Sequence, residues 1–179
     1  MLSCADSRVP VEKIFDMGFG DIFAIRVAGN IIGPDQLGSL EYAVEHLGVP
    51  LIMILGHTNC GAISGAIASL SDAGEKKHKK HISRLLQKIA PTVEEVKHNH
   101  PHLPGKDLER HCVNKNIWNN IKMLLRESAY LRGAVAEGRL VIYGAVYDTA
   151  EGQVRLLGAH RQQDEIIASA PPAEHHHEP

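Results

Sequence analysis

Leu51-Ile52-Met53-Ile54-Leu55-Gly56-His57-Thr58-Asn59-Cys60-Gly61 is the stretch that decides the fold. Its first five residues are apolar without interruption, the pattern of a strand covered on both faces. His57 to Cys60 follow as the exit turn of that strand. Ala62, Ile63, Ala66, Ile67 and Leu70 then recur at helical spacing. A buried strand, a turn with chemically active side chains and a helix form the unit of an open α/β sheet. Ligand sites in such sheets lie at the carboxyl ends of the strands. The spacing therefore predicts an α/β protein with a central, mainly parallel β-sheet flanked by helices.

Upstream, Met1-Leu2-Ser3 reads as the stub of a strand that ends at Cys4. Pro10 suits a first helical turn, with Val11 to Asp16 as a short helix. Ile22 to Val27 form a compact apolar strand, and Gly29 to Gly38 read as a loop. Ser39 is the expected cap of a helix carrying Tyr42, Ala43, Val44 and Leu47, stopped by Gly48 and Pro50. Downstream, Ile82, Leu85, Leu86 and Ile89 mark a helix ending near Pro91. Further helices are expected over Leu108–Arg126, with Val113, Ile117, Ile121 and Leu124 on one stripe, and over Ser128–Glu137. Leu140–Val146 and Val154–Leu157 complete the strands. The organisation expected is one α/β domain over 1–158 and a loosely ordered tail over 159–179.

A chain of 179 residues with a formal charge of -2 holds one sizeable core and lacks the basic excess of a general nucleic-acid binder. Aromatic residues make up 4%, too few for base-stacking platforms. No apolar run is long enough to cross a bilayer, and no signal peptide is visible. Three cysteines leave one over in any disulfide scheme, and two of them carry metal-ligand spacing, so a reducing compartment, the cytoplasm, is expected.

Cys4 and Cys60 as thiolates, with neutral His57, are three donors suited to tetrahedral Zn²⁺ with a fourth position open. Zinc lowers the pKa of bound water toward about 7, and two thiolates soften that pull, so activity should favour mildly alkaline pH. Cys60 opens a helix, where amides and the macrodipole favour a thiolate. Asp6 lies two residues from Cys4, and Arg8 is placed to hold its carboxylate with paired hydrogen bonds. Held off the metal, Asp6 orients hydroxide toward an electrophile; released, it ligates the metal and closes the site. A structural zinc would have no use for this pair.

Cys4-Ala5-Asp6-Ser7-Arg8 followed by Gly56-His57-Thr58-Asn59-Cys60-Gly61 resembles the β-class carbonic anhydrases. The likeness runs from Cys4 to about Leu157 and includes Phe23 to Asn30, Glu41-Tyr42-Ala43, and Gly144 to Asp148 with Gly152. It implies reversible hydration of CO2 to bicarbonate on one Zn²⁺ per chain, held by Cys4, His57 and Cys60, with Asp6 and Arg8 as the catalytic dyad. It further implies a small apolar substrate pocket lined by Phe23, Ala28 and Tyr42, with the amide of Gly61 facing substrate. Assembly as a homodimer or tetramer is implied, with pocket residues shared between subunits.

The chain departs from that pattern at its start and reads as an N-terminally shortened member. It lacks the family's N-terminal helices, the full first strand, a glutamine and a tryptophan from that region, and it has Val27 where many members have asparagine. Two alternatives keep the same site: a hydrolase of CS2 or COS, and a catalytically silent zinc-binding protein. Cys112 reads as a buried helical thiol. The run Lys76 to His81 reads as a solvated helix start, and His98, His100 and His102 as loop residues. His175 to His177 stand outside the chemistry.

Overall fold

The computed structural model of the chain describes residues 1–70 and 78–170. Among these residues five strands, β1 (Leu2–Ser3), β2 (Ile25–Arg26), β3 (Leu51–His57), β4 (Val141–Tyr147) and β5 (Val154–Gly158), lie in the order β2-β1-β3-β4-β5. All neighbours are parallel except β4 and β5. The chain leaves β1 toward β2 and then crosses back to β3 on the other side. That reversal is the switch point at which open α/β sheets form their crevice. The register Ser3↔Leu55 brings the ends of β1 and β3 side by side there, and His57↔Tyr147 sets the end of β4 next to them.

The helices are α1 (Val11–Ile14), α2 (Pro34–Leu47), α3 (Gly61–Ser69), α4 (Lys80–Asn99), α5 (Gly105–Glu127), α6 (Ala129–Ala136) and α7 (Gln163–Ser169). The expected α/β class holds, while several boundaries move. The strand expected over Ile22–Val27 pairs only at Ile25 and Arg26. The expected loop over Gly29–Gly38 is shorter, because α2 begins at Pro34, whose fixed φ suits a first helical position. Ser39 is therefore inside the helix, its hydroxyl donating to the Asp35 carbonyl at 2.7 Å. The helix expected to stop near Pro91 runs through it to Asn99. Buried Leu86, Ile89, Val93 and Val96 continue one stripe across the proline, and that packing outweighs the lost backbone hydrogen bond. The start of this helix at Lys80 fits the solvated-start reading, while Lys76 and Lys77 lie outside the described residues. Of the stretch expected to be loose, Gln163–Ser169 is helical with Ile166 buried against the main core; His175 to His177 lie outside the described residues.

α5 lies directly on the sheet. Ile52, Ile54, Ile142 and Val146 face it, and Ile117 and Ile121 are fully buried beneath it. Two glycines on that face permit the approach. A Cβ at Gly144 would stand 2.7 Å from Ile117 Cγ2, and one at Gly56 would stand 2.8 Å from Ile117 Cδ1. Gly144→Ala is expected to destabilise by about 1–3 kcal/mol through overpacking. Urea unfolding checks this, with Ile117→Val in the same chain expected to restore part of the loss. The opposite sheet face carries a smaller cluster of Val9, Val11, Met53, Leu55 and Ala145. Leu51, Val141 and Tyr143 on that face remain 37–42% exposed.

Candidate metal centre

Three elements deliver the donors. Cys4 follows the last residue of β1, His57 ends β3, and Cys60 caps α3. Asn59 between them adopts φ 57°, a left-handed bend that asparagine tolerates, and so turns Cys60 back toward Cys4. The three ligand atoms lie within 4.8 Å of one another, and all three residues are buried.

The donor chemistry fits a metal. His57 Nδ1 lies 2.9 Å from the Thr58 carbonyl, which fixes the proton on that nitrogen. Nε2 is then a lone pair, buried and without a hydrogen-bond partner among the described residues. A buried unpaired nitrogen aimed between two sulfurs is costly unless a cation takes it up. The sulfurs carry the same message. The Cys60 thiol hydrogen-bonds Cys4, which holds the Cys4 thiol down at about 4 against its burial; the backbone of Asp6 and Gly29 assists. The Gly29 amide donates to Cys4 Sγ at 3.3 Å. Cys60 is pushed up by that same hydrogen bond and by burial, although the Ala62 and Ile63 amides at the start of α3 favour its thiolate. One proton leaves the pair readily, and the second leaves only when a cation replaces it.

Asp6 and Arg8 sit beside this cluster. Arg8 Nε and Nη2 reach the two carboxylate oxygens of Asp6 at 3.0 and 2.8 Å, and the Arg8 amide adds a bond of 2.9 Å. The Arg8 side chain and then its amide hold the Asp6 carboxyl well below the usual carboxylate range. Arg8 Nη2 also donates to the Asn59 carbonyl at 3.0 Å, joining the dyad to the turn that carries Cys60. Asp6 therefore rests on Arg8.

The remaining expected residues separate into two groups. Ala28 opens a 3₁₀ turn one residue before Gly29, and Gly61 is the exposed first residue of α3, so both adjoin the cluster. Phe23 and Tyr42 pair with each other at 6.2 Å between centroids. Phe23 lines a cavity of about 290 Å³ with Val49, Pro50 and Leu51, toward the amino ends of the strands. The structure does not bring these two rings to the cluster of their own chain. Cys112 is fully buried on α5, and burial pushes its thiol up to about 11. It should therefore stay unmodified by a thiol reagent at pH 8 until the protein unfolds, which mass spectrometry of the native and denatured reaction would show.

Sequence reasoning missed the supports. Arg26 on β2 donates to the carbonyls of Cys4 (3.2 Å) and Asp6 (2.7 Å), clamping the backbone between ligand and dyad. Buried Asn116 donates to the Gly29 carbonyl at 2.9 Å, and Asn120 accepts from the Ile32 amide at 3.1 Å. These fix the loop that backs Cys4. Two asparagines four residues apart beside the apolar stripe of α5 were the available signal. Thr149 ties the β4–β5 turn to the metal turn through its amide and the Thr58 hydroxyl at 2.9 Å.

Residues 1–154 match the family model for carbonic anhydrase. Carbonic anhydrase 2 of Mycobacterium tuberculosis is 35% identical over 156 residues, covering 87% of this chain and 72% of that protein. The carbonic anhydrase of Mycolicibacterium smegmatis is 36% identical over 164 residues, with the same coverage of each chain. Among solved structures, the β-carbonic anhydrase CcaA superposes with a TM-score of 0.78 at 31% identity, covering 87% of this chain and 76% of that one. One of two tetrameric β-carbonic anhydrases of Sordaria macrospora gives 0.72 at 31% identity, covering 88% and 79%. The chain belongs to the β-class carbonic anhydrases and is a carbonate dehydratase. Among the described residues no helix is long and apolar enough to cross a membrane.

Proposed function

We propose that the chain hydrates CO2 reversibly to bicarbonate with one Zn²⁺ held by Cys4, His57 and Cys60. The observation that carries this reading is the buried, unpartnered His57 Nε2 set among two sulfurs. Zinc bound there supplies a Lewis acid that lets water ionise near neutral pH. The rest falls to the protein's own side chains. Asp6, its carboxylate fixed by Arg8, accepts a hydrogen bond from the nucleophile and aims a lone pair at the carbon of CO2. Arg8 keeps Asp6 off the ligand cluster, so the pair sets the open form of the site. The α3 amide at Gly61 is placed to receive a bicarbonate oxygen, and Ala28 helps keep the entrance apolar. Residues 1–158 carry this apparatus as one domain.

Assembly completes the pocket. Phe23 and Tyr42 serve the site of a second copy in a homodimer, alone or paired into a tetramer. The exposed Leu51, Val141 and Tyr143 beside them support this reading, because a parallel sheet is normally covered on both faces. Free thiols at all three cysteines fit a reducing compartment, the cytoplasm.

X-ray absorption at the zinc edge tests the ligand set: two sulfurs near about 2.3 Å and one nitrogen near about 2.0 Å are expected, with a light atom in the fourth place. Four protein donors would refute it. Turnover of CO2 far above that of CS2 in parallel assays would separate the hydratase from the related hydrolase reading.

A further inference from the structure

A second concavity lies away from the metal centre and shares no residue with it. It measures about 910 Å³ and sits between α5, the carboxyl end of α4, β5 and the turn before α7. Its size falls within the range of small-molecule sites and is several times what an inorganic anion needs. Its wall is cationic in a chain whose formal charge is -2. Lys115, Arg155 and Arg161 line it, with His111 and His160, and no carboxylate lines it among the described residues. The Arg155 guanidinium is steadied by Asn114 Oδ1 at 3.2 Å, a neutral partner that leaves its charge uncompensated. Lys115 is shared with Glu95 at 2.6 Å. Burial and then Lys115 and Lys122 push the His160 imidazole below its ordinary value. Trp118 forms the apolar part, its indole meeting His160 at 5.5 Å and 90°.

We propose that this cavity binds a small organic polyanion bearing a planar ring, the chemistry of a nucleoside di- or triphosphate. Arg155, Arg161 and Lys115 take the phosphate oxygens, for which guanidinium forks are well shaped. Trp118 and His160 take the ring by stacking and edge contact. The concave shape and the single indole suit one nucleotide, not a strand of nucleic acid.

Trp118 is the only tryptophan, so its fluorescence reports the site directly. The full zinc-loaded chain is titrated with ATP as its magnesium complex, which spares the zinc, and separately with magnesium tripolyphosphate, adenosine and a short oligonucleotide. ATP should give a saturable change, tripolyphosphate should bind about tenfold more weakly, and adenosine should not saturate. Arg155→Ala with Arg161→Ala should weaken ATP by at least about tenfold, with CO2 hydration unchanged. Calorimetry on Trp118→Phe, which keeps a ring, should still detect ATP. No saturable response to ATP, equal affinity for tripolyphosphate, tighter binding of the oligonucleotide, or unchanged ATP affinity in the double variant would each overturn the proposal.

Discussion

Cys60→Ser is expected to abolish zinc retention and CO2 hydration together. The residue supplies one of three protein donors, and its thiolate also offsets the buried charge of the ion. Apparent zinc binding energies of about 10–16 kcal/mol in four-ligand structural sites, divided over the four ligands, put about 3–4 kcal/mol on each. Losing one therefore costs about two to three orders of magnitude in affinity. Serine keeps the shape of the side chain but not a ready anion, since a hydroxyl ionises far above a thiol. The fold should survive, because Ile63, Ala66 and Ile54 around the site belong to the main core without the metal. Metal analysis after dialysis and stopped-flow hydration on the same sample check both halves. Zinc near one per chain with background hydration would leave catalysis unexplained by this site.

Asp6→Asn should give the second-largest effect, and of a different kind. Zinc should remain at one per chain, while kcat/KM falls by about a hundredfold or more, the scale of a positioned proton-accepting group. The amide can still meet one donor of Arg8, but it cannot offer the charged acceptor that orients the nucleophile. The pH dependence sharpens the test. Arg8 depresses the folded-state pKa of Asp6 below its unfolded value. The carboxylate is thus fully ionised above about pH 4, and its advantage disappears only as the pH falls through the folded value. The variant should lose the same factor at pH 6.5 and at pH 9, with the shape of the profile kept. A loss that vanished at either end would assign Asp6 a titrating role instead. Arg8→Lys should fall between wild type and Asp6→Asn, because lysine keeps the charge and loses the fork.

The centre of the fold was legible because β3 combines an unbroken apolar run with a functional turn. Cys4, His57 and Cys60 followed from donor type and from their place at strand ends, and Asp6 with Arg8 from a spacing of two. Edges were less legible for identifiable reasons. Pro34 as a first helical residue competes with Ser39 as a cap, and the sequence alone favours the better capping side chain. Pro91 reads as a stop until the buried stripe on both of its sides is seen in three dimensions. β2 shrinks to two residues because its partner β1 is only two residues long. Asn116, Asn120 and Arg26 escaped notice because each acts on backbone carbonyls or amides far away in sequence, which no local pattern reveals. Phe23 and Tyr42 carry the pocket residue types, yet their location away from the cluster becomes visible only once β2 and α2 are placed.

The most direct test of the account is hydration of CO2 by the chelator-stripped chain during stepwise return of zinc. The account predicts background rates without metal and a linear recovery that ends at one zinc per chain. Full hydration by the stripped protein, or recovery that requires two ions per chain, would contradict it.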